Sequence, residues 1–376
     1  MTLNTDWIKR MDNHKLHLGI DGTLSFLKST VNTENVVTGE KGYNTTRYPD
    51  GGNSMHTVEA FATHVWNISQ KLSMHDGIRL GYATTYSSVK DTEQFPFFGG
   101  GSQRKNNLTY SAAIGLNYLP SKTWKTAFSM STAYRVPNID NTSKVFDSKV
   151  GTVTIPNKHI RPEKTVSADL NITKHVADVL TWENVVYATY YFDAITTARG
   201  TFMGGSQMEY QGELCDVYTY TNAKTAVLWG ASSSLTAKPL RQTELYASFN
   251  YTYGRILSGG KRQPLDHIPP IYGRVGAAWL TPDGRFDMYA LYNGPKPIDD
   301  YNTDGEDNID YATVKGANGR GMPAWFTLNV KGSYNLNGSI ALQAGVENIL
   351  DTEYRVFSSG INAPGRNVYA AVRMTF

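Results

Sequence analysis

The chain has 376 residues and a formal net charge of +3, from 36 Lys and Arg against 33 Asp and Glu. So small an excess gives no basic field for nucleic acid, and a single cysteine, Cys215, excludes an internal disulfide framework. Mean hydropathy is −0.39, and no stretch approaches the ~20 apolar residues of a membrane helix. That does not exclude a transmembrane barrel, whose strands alternate faces and cancel in any window average.

The opening residues, MTLNTDWIKRMDNHK, carry neither an apolar signal core nor a small-residue cleavage site. They read as the start of a mature or truncated piece, or as lying downstream of the true start. From there on, alternation with a period of two predicts about 14 strands. The predicted spans are 14–28, 56–69, 75–89, 107–118, 124–135, 164–175, 180–195, 216–237, 242–256, 268–281, 285–297, 324–335, 339–350 and 366–376. The last is the cleanest, with Val368, Ala370, Val372, Met374 and Phe376 on one face and Asn367, Tyr369, Ala371, Arg373 and Thr375 on the other. No helical periodicity is evident.

The connections alternate strictly between short and long. Tight turns fall at 69–74, 119–123, 174–179, 238–241, 282–285 and 335–338, and long polar loops at 29–55, 90–106, 136–163, 196–215, 257–267, 298–323 and 351–365. A membrane barrel sorts its loops this way, with periplasmic turns on one rim and extracellular loops on the other. The spans also reach the roughly 9–11 residues needed to cross a bilayer. The sequence therefore predicts an all-β, antiparallel transmembrane β-barrel wall whose C-terminus is periplasmic. Trp66, Trp124, Trp182, Trp279 and Trp325 lie near predicted strand ends, where indole rings favour the headgroup layer.

No catalytic constellation is present, so an enzyme is not expected. His14 and His17 are three apart, on opposite faces of a strand, and none of the eight histidines has metal-ligand spacing. Asp299, Asp300, Asp304, Glu306, Asp307 and Asp310 form an acidic loop cluster that lacks the order of a calcium loop. No metal and no cofactor are expected. Ligand contacts should come from the long loops, through Arg and aromatic anchors. The candidates are Tyr43, Arg47, Tyr48, Phe97, Phe98, Arg135, His159, Arg199 and Tyr210.

Four blocks carry a family resemblance. Tyr134-Arg135-Val136-Pro137-Asn138 precedes a long loop, and Asn157-Lys158-His159-Ile160-Arg161-Pro162-Glu163-Lys164 opens the next strand. Ile268-Pro269-Pro270 precedes another strand. Gly345-Val346-Glu347-Asn348-Ile349-Leu350-Asp351-Thr352-Glu353-Tyr354-Arg355, then Ala363-Pro364-Gly365-Arg366-Asn367 and the terminal Phe376, form the ending. In this order they resemble the TonB-dependent outer-membrane receptors from about residue 55 onward. The resemblance implies a barrel of about 22 strands around an N-terminal plug, and uptake of a scarce nutrient, of the iron-siderophore or haem class, driven by the TonB complex. With about 14 strands here, residues 1–376 read as the C-terminal part of such a barrel, lacking the plug, the TonB box and about eight strands. A complete 14-stranded passive channel is the alternative.

Expected partners are outer-membrane lipid, a small nutrient ligand, the barrel-assembly machinery at the C-terminal strand and, for the full-length receptor only, the TonB complex. Haem-taking members of the family place a histidine between two such blocks. Here the nearest is His159, inside the second block, as a candidate haem ligand. Glu347 and Arg366 fall where loop meets strand and are expected to pair with each other.

Overall fold

The computed structural model describes residues 1–376 apart from 44–45, 91, 93–96, 98–100, 146–150, 211, 223–224, 259, 304, 306, 308–320 and 376, and apart from the side chains of Tyr43, Ser258 and Lys261. Phe98 and Phe376 therefore lie outside the described residues, as do Asp304, Glu306 and Asp310 of the acidic loop.

Among the described residues, fifteen strands pair in sequence order into one antiparallel wall. They are β1 (Thr2–Met11), β2 (His14–Leu27), β3 (Gly52–Asn67), β4 (Leu72–Ser88), β5 (Ser102–Ser121), β6 (Trp124–Arg135), β7 (Glu163–Val176) and β8 (Leu180–Phe192), followed by β9 (Thr225–Leu240), β10 (Thr243–Ser258), β11 (Tyr272–Leu280), β12 (Gly284–Asn293), β13 (Trp325–Asn335), β14 (Ile340–Glu347) and β15 (Asn367–Met374). A short strand, Lys261–Pro264, attaches to β10. Every short connection predicted from sequence is a turn at one rim, and every long one is a loop at the other.

The wall differs from the sequence reading in two places. Thr2–Met11 adds a strand beyond the fourteen expected. Its faces contrast weakly, because Lys9 shares the outer face with Leu3 and Trp7 while Ile8 shares the inner face with Asp6 and Arg10. The single strand expected over 216–237 is two. Glu213–Asn222 belongs to a separate loop sheet, and only β9 joins the wall. No helix was expected either, yet residues Ile139–Ser143 form one short turn, α1, whose start is fixed by reciprocal side-chain capping between Asn138 and Asn141.

The cross-strand register orders the outer face into rows. Across β2, β3, β4 and β5 these read, from the loop rim downward, Phe26–Ser54–Tyr86–Arg104, Leu24–His56–Thr84–Asn106, Gly22–Val58–Tyr82–Leu108, Ile20–Ala60–Leu80–Tyr110, Leu18–Ala62–Ile78–Ala112 and Leu16–His64–Asp76–Ile114. Three rows without a charged or strongly polar side chain are thus bounded by polar rows at His56 and His64. Eight residues of strand at ~3.3 Å each, tilted by about 40°, set those bounds roughly 20 Å apart, close to the ~25 Å apolar band of a membrane barrel. His14 lies on this outer face, its Nδ1 2.9 Å from His64 Nε2, whereas His17 points inward with its Nε2 3.2 Å from Asp6, as their spacing of three required. Trp66, Trp124, Trp182 and Trp279 occupy the outer face at the periplasmic rim. Trp325 does not join a girdle: it begins β13 at the loop rim and packs on Tyr354 at 4.3 Å.

Leu80 is central to the apolar band and exposed on the outer face. Leu80→Arg is expected to destabilise the chain folded in lipid vesicles by about 2–4 kcal/mol, read by urea titration of intrinsic fluorescence. A loss below about 1 kcal/mol would mean that this face does not meet hydrocarbon.

Candidate functional site

The inner face is polar and laced with ion pairs. Arg79 Nη1 reaches Asp21 at 2.7 Å and Glu59 at 2.8 Å, and the Tyr134 hydroxyl donates to Glu59. These bonds tie β2, β3, β4 and β6 together across the lumen side. A Cβ on Gly81 would stand 2.6 Å from Glu59 Cγ and 2.8 Å from Thr109 Oγ1, so the glycine leaves the room in which this network forms. Asp21, Glu59 and Arg79 were not singled out from sequence. An acid or base on the inward parity of a strand was the available signal.

At the loop rim the chain builds a second, smaller structure. Strands Ile195–Arg199, Gln207–Tyr210 and Glu213–Asn222 pair antiparallel, and Thr152–Ile155 joins them in parallel, which fastens loop 136–162 to loop 193–224. Val89, Val145, Val153, Ile155, Cys215 and Val217 form its core, with Phe97, Phe202, Met208 and Tyr210 packed against it. Cys215 is therefore a buried apolar thiol.

Between this structure and the barrel rim lies a cavity of about 650 Å³ whose lining includes Arg47, Arg135, Asp140, Lys144, Glu163, Asp266, His267 and Asp307. The two sequence blocks that flank loop 136–162 meet here. Arg135 stands opposite Glu163 in the β6–β7 register and binds it with both arms, at 2.7 Å and 3.2 Å, while its Nη1 donates to Asn141. Glu163 also accepts the Ile195 N–H at 2.8 Å, which ties in the following loop. Arg47 crosses from loop 28–51 to Asp140 on α1, at 2.9 Å from Nε and 2.8 Å from Nη2. That hydrogen bond to Asp140 outweighs the cost of burial and raises the Arg47 pKa above its ordinary value. Asp307 accepts the His267 and Asn302 N–H groups. Beside it, burial and the Asp307 charge push the Tyr301 phenol up to about 12.

Of the ligand candidates read from sequence, Arg47 and Arg135 reach the cavity, and Tyr48 lies next to it with the Arg47 guanidinium 5.6 Å from its ring. Phe97 and Tyr210 do not; they pack the loop core. His159 is exposed, and only its backbone N–H is engaged in the local turn, donating to Asn157 Oδ1. Arg199 is exposed at the end of its strand. Tyr43 closes the short strand Lys41–Tyr43, its side chain outside the described set. Asp140, Asn141 and Lys144 were missed, although the Asn138-to-Asn141 capping spacing marks a helix start in the sequence. Asp266 and His267 carry no comparable mark, and Asp307 was read only as part of the acidic loop cluster.

The C-terminal block is a structural turn. Asn348, 2% exposed, adopts φ 50° and bonds with the Thr352 backbone in both directions, with Pro364 O and with the Asn329 side chain. Asparagine is among the few residues that accept that backbone conformation. Asp351 Oδ1 caps the Arg366 N–H, and a Cβ on Gly365 would sit 2.6 Å from that oxygen. Arg366 does not pair with Glu347 as expected: its Nε donates to the Ile349 carbonyl at 2.8 Å, which the tight turn brings closer. Pro137 is fully buried. Asn157 reaches the Tyr220 carbonyl at 2.8 Å, and with Pro162 completes the approach to β7. Among the described residues no group of three or more His, Cys, Asp or Glu side chains is arranged to hold a metal.

The family model for the TonB dependent receptor-like β-barrel matches residues 2–349. The chain belongs to this family. Members are outer-membrane proteins that act as receptors and transporters, and the wall described above is placed in the outer membrane accordingly. Among solved structures, the copper transporter OprC superposes with a TM-score of 0.79 at 18% identity, covering 100% of this chain and 56% of its own. The ferric citrate transporter FecA gives 0.71 at 13% identity, covering 100% and 54%. The FrpB iron transporter from Neisseria meningitidis, F3-3 variant, gives 0.67 at 10%, covering 99% and 54%. The chain thus spans about half the length of these receptors. No curated protein matches it by sequence.

Proposed function

We propose that this chain forms the C-terminal barrel wall and extracellular mouth of a TonB-dependent receptor that captures a polar ferric chelate of the siderophore class. The observation that carries this reading is the convergence of Arg47, Arg135 and Lys144 on one cavity at the extracellular rim. Its volume of about 650 Å³ suits a small chelate. Both arginines are held by carboxylates, so an anionic ligand would engage them by exchange, in a site already shaped for guanidinium–carboxylate geometry. The neighbours' names, which include copper, iron and ferric citrate transport, agree with metal or metal-chelate cargo. Haem finds less support: the cavity is lined largely by charged and polar side chains, and His159 stands outside its lining. In this reading energised uptake belongs to the whole receptor together with the TonB complex, and the barrel-assembly machinery engages β15.

A passive channel is less favoured. It rested on an even number of strands, but β1 and β15 of the fifteen both run toward the periplasmic rim. They cannot be joined to each other by an antiparallel ladder.

The test is titration of the refolded chain with ferric citrate, a ferric hydroxamate and a ferric catecholate, followed by tryptophan quenching. One of the three is expected to bind, and Arg135→Ala to weaken it by about 10-fold or more, as for an Arg anchor. The reading fails if the folded wild-type chain binds none of them.

A further inference from the structure

The outer face carries a second pocket, which shares no lining residue with the cavity at the mouth. It has a volume of about 650 Å³ and lies where β2, β3 and β4 reach the loop rim, with Phe26, Lys28, Asp50, Tyr86 and Lys90 in its lining. Its side chains are fixed on the lipid side by register. Phe26, Ser54, Tyr86 and Arg104 form the uppermost outer row, and Lys28 and Lys90, just beyond the strand ends, line the same pocket. The floor requires glycine. Gly52 has φ 107°, and a Cβ on Gly51 would stand 2.5 Å from the Ser88 carbonyl oxygen.

The chemistry of this pocket is amphipathic in a particular order. Below it, past the His56 row, lies the apolar band. Phe26 is 76% exposed and meets His56 edge-on, and the His56 Nδ1 has no hydrogen-bond partner among the described residues. Above, Lys28 and Lys90 are exposed and enter no ion pair among the described residues. Arg104 lies 5.6 Å from the Tyr86 ring centroid. Among the described residues one carboxylate lines the pocket, Asp50, whose Oδ1 is occupied by the Lys90 N–H. Cations on the extracellular side of an apolar band, separated from it by the polar His56 row, match an anionic headgroup whose acyl chains continue down the wall.

We propose that this pocket seats the phosphate of a phosphorylated glycolipid of the extracellular leaflet, with Lys28 and Lys90 holding the phosphate, Arg104 flanking it, and Phe26 and Tyr86 against the lipid body. It would fix the barrel's depth on the side of loop 28–51, the loop that carries Arg47 to the mouth.

The experiment uses the refolded full chain in detergent and native mass spectrometry, with diphosphorylated lipid A as the probe and its dephosphorylated form as the comparison. The wild-type chain is expected to retain the diphosphorylated lipid at least about 10-fold better than the dephosphorylated one. Joint substitution Lys28→Gln and Lys90→Gln should cost about 10-fold in that retention, on the basis that each cation near an anionic lipid surface contributes severalfold. Lys9→Gln with Lys122→Gln, at the opposite rim, should leave it unchanged. Millimolar inorganic phosphate should not displace the lipid. Equal retention of the two lipids, or equal retention by wild type and the Lys28/Lys90 variant, overturns the proposal. Displacement by inorganic phosphate overturns the lipid assignment and leaves a free-anion site. Unchanged heat-dependent gel mobility of each variant verifies that it folds, and the two-lipid comparison on wild type stands without any variant.

Discussion

Arg285→Met is expected to destabilise the barrel by about 1–2 kcal/mol, less than for a fully buried pair because the guanidinium side chain is 40% exposed while its partner Asp287 is buried. Arg285 spans two carboxylates on the inner wall, with Asp287 held at 2.9 Å by both Nε and Nη2 and Glu244 at 2.9 Å by Nη2. Asp287 is 4% exposed and, among the described residues, otherwise accepts only the Tyr246 hydroxyl at 3.1 Å; that hydroxyl in turn accepts from Arg274. Lys331 stands opposite Asp287 in the β12–β13 register but makes no ion pair with it among the described residues. Removing the guanidinium therefore leaves a buried carboxylate with one hydroxyl for company. The measurement is the urea midpoint and slope of the refolded chain by tryptophan fluorescence. Adding Asp287→Asn should recover most of the loss, because the neutral amide costs far less to bury than the charge. If the double variant is as unstable as the single, the cause is lost packing of the arginine stem and the electrostatic account is wrong.

The second large effect concerns the loop structure. Val217 is 1% exposed at the centre of the core it shares with Val89, Val153 and Cys215. Val217→Asp places an unpaired charge there, which costs several kcal/mol against a unit with few buried side chains. The loop sheet is expected to open while the wall, whose ladders are separate, persists. Limited proteolysis should then cut within 193–224 in the variant and leave wild type intact, with far-ultraviolet circular dichroism nearly unchanged. Ferric-chelate binding should fall as well, since Ile195 to Thr197 and Tyr220 line the cavity from this sheet. A variant whose loops resist protease as wild type does would show that the sheet does not depend on this core.

The family blocks show how differently sequence motifs become structure. Tyr134-Arg135 and Pro162-Glu163 are 28 residues apart at their charged members, with nothing in the sequence to join them. In the fold they are cross-strand partners that shape the cavity's wall. The Asn348-to-Arg366 block is equally recognisable, yet its polar atoms are consumed within its own turn. Phe97, Tyr210 and His159 were reasonable as loop anchors by residue type, but two of them support the loop from within and one is exposed outside the cavity lining.

What sequence alone determined was the architecture of the wall. Side-chain parity must follow the two environments of each strand, and loop lengths must follow the two sides of a membrane, so alternation and loop sorting were both written locally. The weakly contrasted Thr2–Met11, and the boundary that divides Glu213–Asn222 from β9, were not. A period of two is the same for any strand, whichever sheet it joins. Assignment to wall or loop sheet is decided by which partner completes the backbone hydrogen bonds and which apolar side chains find a core. The cavity at the mouth is likewise a product of tertiary structure alone, because Arg47, Asp140, Glu163 and His267 are brought together by loops that contact one another across the rim of the barrel.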